Sequence, residues 1–124
     1  MKHLTNREEE IMDIFWQKGP SYVKDIIDEL PEPKPHYNTI STIVRGLEEK
    51  GFLEHKQFGN THLYTAIISR EEFSRNTIKN IVGKYFNKSY SSVVSMFVEE
   101  EKISIEEIKE LIRLTENSNP QSDE

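Results

Sequence analysis

"HYNTISTIVRGLEEKGF", residues 36–52, decides the fold. Tyr37, Ile40, Ile43, Val44 and Leu47 recur at helical spacing, so one face of this segment is built to be buried. The other face carries Asn38, Ser41, Thr42 and Arg45 instead of the usual mixture of Glu and Lys. Gly51 ends the helix, and after it the period drops from 3.6 to 2. "FLEHKQF" (52–58) and "THLYTAI" (61–67) read as two short strands joined across Gly59 and Asn60, residues that suit the positive backbone angles of a tight hairpin.

Upstream, Thr5 and Glu8 form the capping-box pattern of a first helix that turns Ile11, Met12, Phe15 and Trp16 inward and stops at "KGP" (18–20). Ser21 is placed to cap a second, short helix, "YVKDIIDEL", with Val23, Ile26, Ile27 and Leu30 facing the core. "PEPKP" (31–35) holds three prolines in five residues, which forbids helix and favours an extended connector. Three helices followed by a hairpin is the order of a winged helix-turn-helix.

From Ser69 the chain is helical again. "SREE" opens a helix with the stripe Phe73, Ile78, Ile81, Val82, Tyr85 and Phe86; a short helix from about Tyr90 carries Val93, Val94 and Phe97. A last helix opens at Ser104 with Glu107 completing its capping box, and its inner face is Ile105, Ile108, Leu111 and Ile112. Three such helices are too small a set to hold a core alone. A second copy of the chain is the economical cover, giving a two-fold dimer in which Ile81, Tyr85, Val93, Val94 and Phe97 share a core with the last helix. The other arrangement folds these helices back on the N-terminal domain as a monomer. The fold class is thus mainly α with a small β-hairpin: a winged helix-turn-helix domain at 1–68, a helical dimerisation domain at 69–115, and a disordered tail at 116–124.

Composition narrows the function. The chain has no cysteine, which removes disulfides and thiolate metal sites. Its N-terminus is charged where a signal peptide needs an apolar core, and its apolar runs are too short to span a bilayer, so the expected setting is soluble and cytoplasmic. The net charge of −6 opposes nucleic-acid binding. The charge is uneven, however: residues 73–98 hold Arg75, Lys79, Lys84 and Lys88 and no acid, whereas residues 99–124 hold nine Asp or Glu. Local field matters more than the total.

Enzyme chemistry has no foothold. There is no nucleophile elbow, no Gly-rich phosphate loop and no carboxylate pair beyond caps and surface charge, and no motif calls for a cofactor. His55 and His62 lie on the two hairpin strands, but two nitrogens without a third ligand make a weak zinc site. A helix that enters the major groove, by contrast, needs small side chains able to donate and accept, with an Arg for guanine or phosphate. Asn38, Ser41, Thr42 and Arg45 meet that demand. Asn38 and Thr39 add free amides at the helix start, and Lys56, Asn60 and His62 on the hairpin are candidate backbone or minor-groove contacts. A solvated helix face, or a winged-helix module that binds protein instead of DNA, is the competing reading.

"LTNREEEIMDIFWQKGP" (4–20), "HYNTISTIVRGLEEKGFL" (36–53), "YTAIIS" (64–69) and "SVVSMFVEEEKISIEEIKEL" (92–111) together resemble the BlaI/MecI/CopY family of penicillinase-type repressors. The resemblance implies a dimeric repressor of transcription that binds double-stranded, palindromic operator DNA, one recognition helix per half-site. In the β-lactam-responsive branch it also implies relief by a membrane-bound sensor metalloprotease, with cleavage in the dimerisation region, here at Met96 and Phe97. Those relatives have Asn-Phe where this chain has Met-Phe. The copper-responsive branch binds metal through C-terminal cysteines, which this chain lacks. Two further departures are Gly46, where many members carry Arg, and Asn60 in place of a wing Arg. Losing that Arg predicts a shallower salt dependence of DNA binding. Neither the target genes nor the inducer is written in the chain.

Overall fold

A computed structural model describes residues 3–118. The order is α1 (Asn6–Lys18), α2 (Val23–Asp28), α3 (Tyr37–Glu49), β1 (Leu53–Phe58), β2 (Thr61–Ala66), α4 (Arg70–Tyr85), α5 (Tyr90–Glu99) and α6 (Ile105–Ser118). This is a winged helix-turn-helix followed by a helical unit. The chain divides into two compact units, Met1–Thr77 and Ile78–Glu124.

In the first unit, α1 starts as its sequence dictates: Thr5 Oγ1 accepts the Glu8 N–H at 3.1 Å, and Glu8 Oε1 accepts the Thr5 N–H at 2.8 Å. Ile11, Met12 and Phe15 are buried, and Ile14 joins them. Trp16 is half-buried, and its indole N–H donates to the Ile68 carbonyl at 2.9 Å. Its ring packs 5.6 Å from Phe73, which also meets Phe52 edge-on at 5.8 Å, so the start of α4 closes over this core.

Ser21 is not the cap of α2. Its backbone forms an antiparallel bridge with Tyr64, with both N–H···O distances at 2.9 Å, and its hydroxyl donates to the Gly19 carbonyl. Bridging to the hairpin satisfies two backbone groups at once, more than a side-chain cap would. Tyr22 takes the cap position, and its N–H donates to Asp25 Oδ2 at 2.9 Å. The hairpin pairs Leu53 with Ala66 through Phe58 with Thr61. At its tip only Gly59 takes a positive φ, +61°; Asn60 keeps a negative one.

Ile40, Val44 and Leu47 of α3 are fully buried against α1, α2 and β1. The far end of α3 is tied to the start of α1 by Lys50, whose ammonium donates to Glu8 Oε1 and Oε2 at 2.8 and 2.9 Å and to the His3 carbonyl at 3.2 Å.

In the second unit, Ser89 Oγ accepts the Ser92 N–H to cap α5, and Ser104 and Glu107 complete a reciprocal box on α6. Most apolar residues here are exposed in the single chain. Helix α6 runs to Ser118, so residues 116–118 continue it where the sequence suggested a tail; nothing breaks the helix before Pro120. Residues 119–124 lie outside the described residues. Among those described, no helix is long and apolar enough to cross a membrane.

Burial works to raise the pKa of Glu8, but the hydrogen bonds and charge of Lys50, with the Thr5 amide, outweigh it and hold the carboxyl below its ordinary value. A depressed carboxylate stabilises the fold above the ordinary carboxylate range and loses that contribution as pH falls through the folded value. Glu8→Gln is therefore expected to cost about 1–3 kcal/mol at neutral pH, with the difference from the parent shrinking on acidification. Urea denaturation at several pH values measures it.

Candidate nucleic-acid interface

The amphipathic split of α3 fixes what it shows to solvent. His36 caps the helix by accepting the Asn38 N–H on Nδ1 at 3.1 Å. Asn38, Thr39, Thr42 and Arg45 are exposed and Ser41 is half-exposed. The guanidinium of Arg45 donates to Ser41 Oγ and to Thr42 Oγ1, each at 3.3 Å.

A groove of about 290 Å³ joins this face to the wing, lined by Asn38, Ser41, Arg45, Asn60 and His62 together with Val23, Tyr37, Thr61 and Tyr64. The structure thus brings together five of the residues singled out on the helix and the wing. Thr39 and Thr42 lie outside the groove lining. Lys56 does as well: strand alternation puts it with Glu54 and Phe58 on the hairpin face away from His55 and His62.

Tyr37, expected inward from its spacing, is 52% exposed. It sits in the first turn of α3 and lines both this groove and an adjoining one of about 590 Å³. The second groove adds Tyr22, Lys24, Asp25 and Asp28, which residue patterns did not single out as site residues. The available signal was topological: in a helix-turn-helix, the first turn of the preceding helix borders the recognition helix.

His55 and His62 stack at 4.2 Å with ring planes 10° apart, and His55 Nδ1 lies 2.8 Å from both Glu48 carboxylate oxygens. Among the described residues no cluster of three or more His, Asp or Glu is arranged to hold a metal. Burial raises the Tyr64 hydroxyl pKa, and the Glu48 carboxylate adds to this against the opposing charge of Arg45, so the phenol stays protonated. The site offers hydroxyls, amides, an imidazole and a guanidinium around an open groove, groups that act through hydrogen bonding and charge.

Of the residues expected at a dimer seam, Ile81, Tyr85, Val94, Phe97, Ile105, Leu111 and Ile112 are exposed, and Val93 and Ile108 are half-buried. Met96 is half-buried and its peptide to Phe97 lies inside α5.

Fold and groove together define a winged helix-turn-helix protein with an added helical unit. The chain belongs to the penicillinase repressor family, whose model matches residues 4–117. Its members are repressors of transcription, not enzymes. The chain is 31% identical over 109 residues to the methicillin resistance regulatory protein MecI of Staphylococcus aureus (strain N315), covering 87% of this chain and 89% of that protein. The protein of that name from Staphylococcus epidermidis matches with the same figures. A penicillinase repressor of Bacillus licheniformis is 27% identical over 114 residues, covering 91% and 89%.

Gly46 follows Arg45 in an unbroken helix, and a Cβ built on it meets no atom within 4 Å. Neither close packing nor a positive φ requires glycine there. Gly46→Ala is expected to stabilise the protein by about 0.5–1 kcal/mol in thermal unfolding.

Proposed function

We propose that this protein is a dimeric, sequence-specific repressor that places one α3 helix in the major groove of each half of a palindromic operator. The observation that carries this reading is the groove in which the outward face of α3 meets Asn60 and His62 of the wing. A helix flanked by a hairpin can engage a major groove and the adjoining backbone together. Lys56, on the other hairpin face, then contacts the sugar-phosphate chain rather than base edges, and Lys24 lies in the groove adjoining His62.

Dimerisation is supported by the second unit, where α5 and α6 leave an apolar groove of about 320 Å³ between Val94, Ile103, Ile108, Leu111 and Ile112. Covering it with a second copy removes apolar surface from water and fixes the spacing of two α3 helices. Residues 69–115 act on this reading as the dimerisation domain. Release of repression follows from cleavage at Met96–Phe97 by a membrane-bound sensor metalloprotease, since a protein cut there loses the seam and with it the effective concentration of the second half-site.

Titrating the purified protein into labelled DNA from upstream of its own gene, with competitor DNA at two salt concentrations, tests the proposal. Saturable binding that survives competitor and protects a palindrome is expected. Binding no better than to competitor would sink it and favour a protein-interaction module. Lys56→Ala is expected to weaken binding to all sequences alike and to reduce the salt slope by about 1. Phe97→Asp, by placing a charge in the apolar seam, shifts the mass toward monomer in sedimentation; an unchanged dimer would place the interface elsewhere.

A further inference from the structure

The chain has five arginines. Arg7, Arg70, Arg75 and Arg113 each pair with a carboxylate, Glu10, Asp13, Glu71 and Glu110 respectively. Arg45 differs: among the described residues its guanidinium partners are two neutral hydroxyls, Ser41 Oγ and Thr42 Oγ1. We propose that Ser41 and Thr42 are positioning residues that hold Arg45 ready, and that Arg45 reads a guanine in each half-site. The proposal rests on the operator-binding reading above and assigns its specificity to one residue.

Helical geometry accounts for the arrangement. A long side chain on a helix leans back over the turn N-terminal to its own Cα. For Arg45 that turn presents Ser41 at i−4 and Thr42 at i−3, the two positions that lie beneath it. One hydroxyl takes an N–H from Nη1 and the other takes one from Nη2. A guanidinium has five N–H donors, so three remain free. Two suffice for the forked contact to guanine O6 and N7.

Neutral partners matter for two reasons. A carboxylate would cancel the charge that the DNA is to meet and would be costly to displace, as for the other four arginines. Hydroxyls leave the charge intact while restricting the rotamers of a long side chain, so less freedom is lost when the base contact forms. Ser and Thr hydroxyls donate and accept, and so satisfy either base partner at a given position; the fork of Arg discriminates. The same two hydroxyls are therefore better used on Arg45 than on DNA.

The test measures binding to a set of operators with each half-site base substituted in turn. The proteins are the parent, Arg45→Ala, Arg45→Lys, Ser41→Ala, Thr42→Ala, the Ser41/Thr42 double variant and the triple variant with Arg45→Ala. Arg45→Ala and Arg45→Lys are expected to lower discrimination at one guanine position by roughly ten- to hundred-fold. Each hydroxyl variant lowers it at that same position by a few-fold, and adding both to Arg45→Ala changes nothing further. A second readout needs no DNA: the ¹⁵Nε relaxation of Arg45 in the free full-length protein shows greater mobility in the double variant. Hydroxyl effects at a different base position, additivity in the triple variant, or unchanged Arg45 mobility would each overturn the positioning role. A parent protein with no half-site preference would instead overturn the operator reading, and this inference with it.

Discussion

Burial of Ile40, Val44 and Leu47 is the constraint on which the rest depends. These three side chains are fully removed from solvent, on a helix that packs against α1, α2 and the first strand. A helix fixed along one stripe at i, i+4 and i+7 cannot rotate about its axis without exposing that stripe. The outward set of Asn38, Ser41, Thr42 and Arg45 is thus a consequence of the inward set. Glu8 and Lys50 complete the restraint by tying the C-terminal end of α3 to the start of α1. The Ser21–Tyr64 bridge adds a backbone tie between the wing and the segment that leads into α2.

This arrangement bears on the acidic balance of the chain. Binding to a polyanion depends on cations that are free to face it, and most arginines here are occupied by carboxylates on their own surface. What the groove side of α3 retains is a guanidinium held by hydroxyls, with an imidazole and amides beside it. Such a surface gains little from bulk electrostatic attraction and relies on directional hydrogen bonds. An acidic chain with this face is better suited to choosing among sequences than to holding DNA indiscriminately.

Element types and order were legible because each rests on local chemistry: the capping boxes at Thr5 and Ser104, the glycine and proline stops, and the change of period after Gly51. The inward face of α3 was legible from Ile40 onward for the same reason. Four details were not. Tyr37 matches the apolar period but lines the wall of two open grooves, and periodicity does not report where a stripe passes from the core into a groove. Ser21 has the right chemistry for a cap and was taken by a strand partner more than forty residues away, a tertiary choice that no local pattern encodes. On the candidate site, the sequence marked Ser41, Thr42 and Arg45 as one polar face but treated them as equals; that two of them are spent on the third appears only when the side chains are placed. Lys56 and His62, grouped as wing contacts, fall on opposite hairpin faces, because alternation within each strand and register between them must both be known.

The second unit adds a condition on how the proposed repressor would be switched off. The Met96–Phe97 peptide sits within α5, where the Met96 carbonyl accepts the Glu100 N–H at 3.0 Å and the Phe97 carbonyl accepts the Lys102 N–H at 2.8 Å. A protease that works on extended backbone must first unwind that turn. In the proposed dimer the exposed side of α5 is also covered by the partner, so unwinding costs the seam contacts as well. Dissociation and cleavage are then coupled: whatever loosens the seam exposes the bond, and cutting the bond prevents the seam from closing again. Operator occupancy, which depends on two α3 helices held at a fixed spacing, falls with the first of these events and cannot recover after the second.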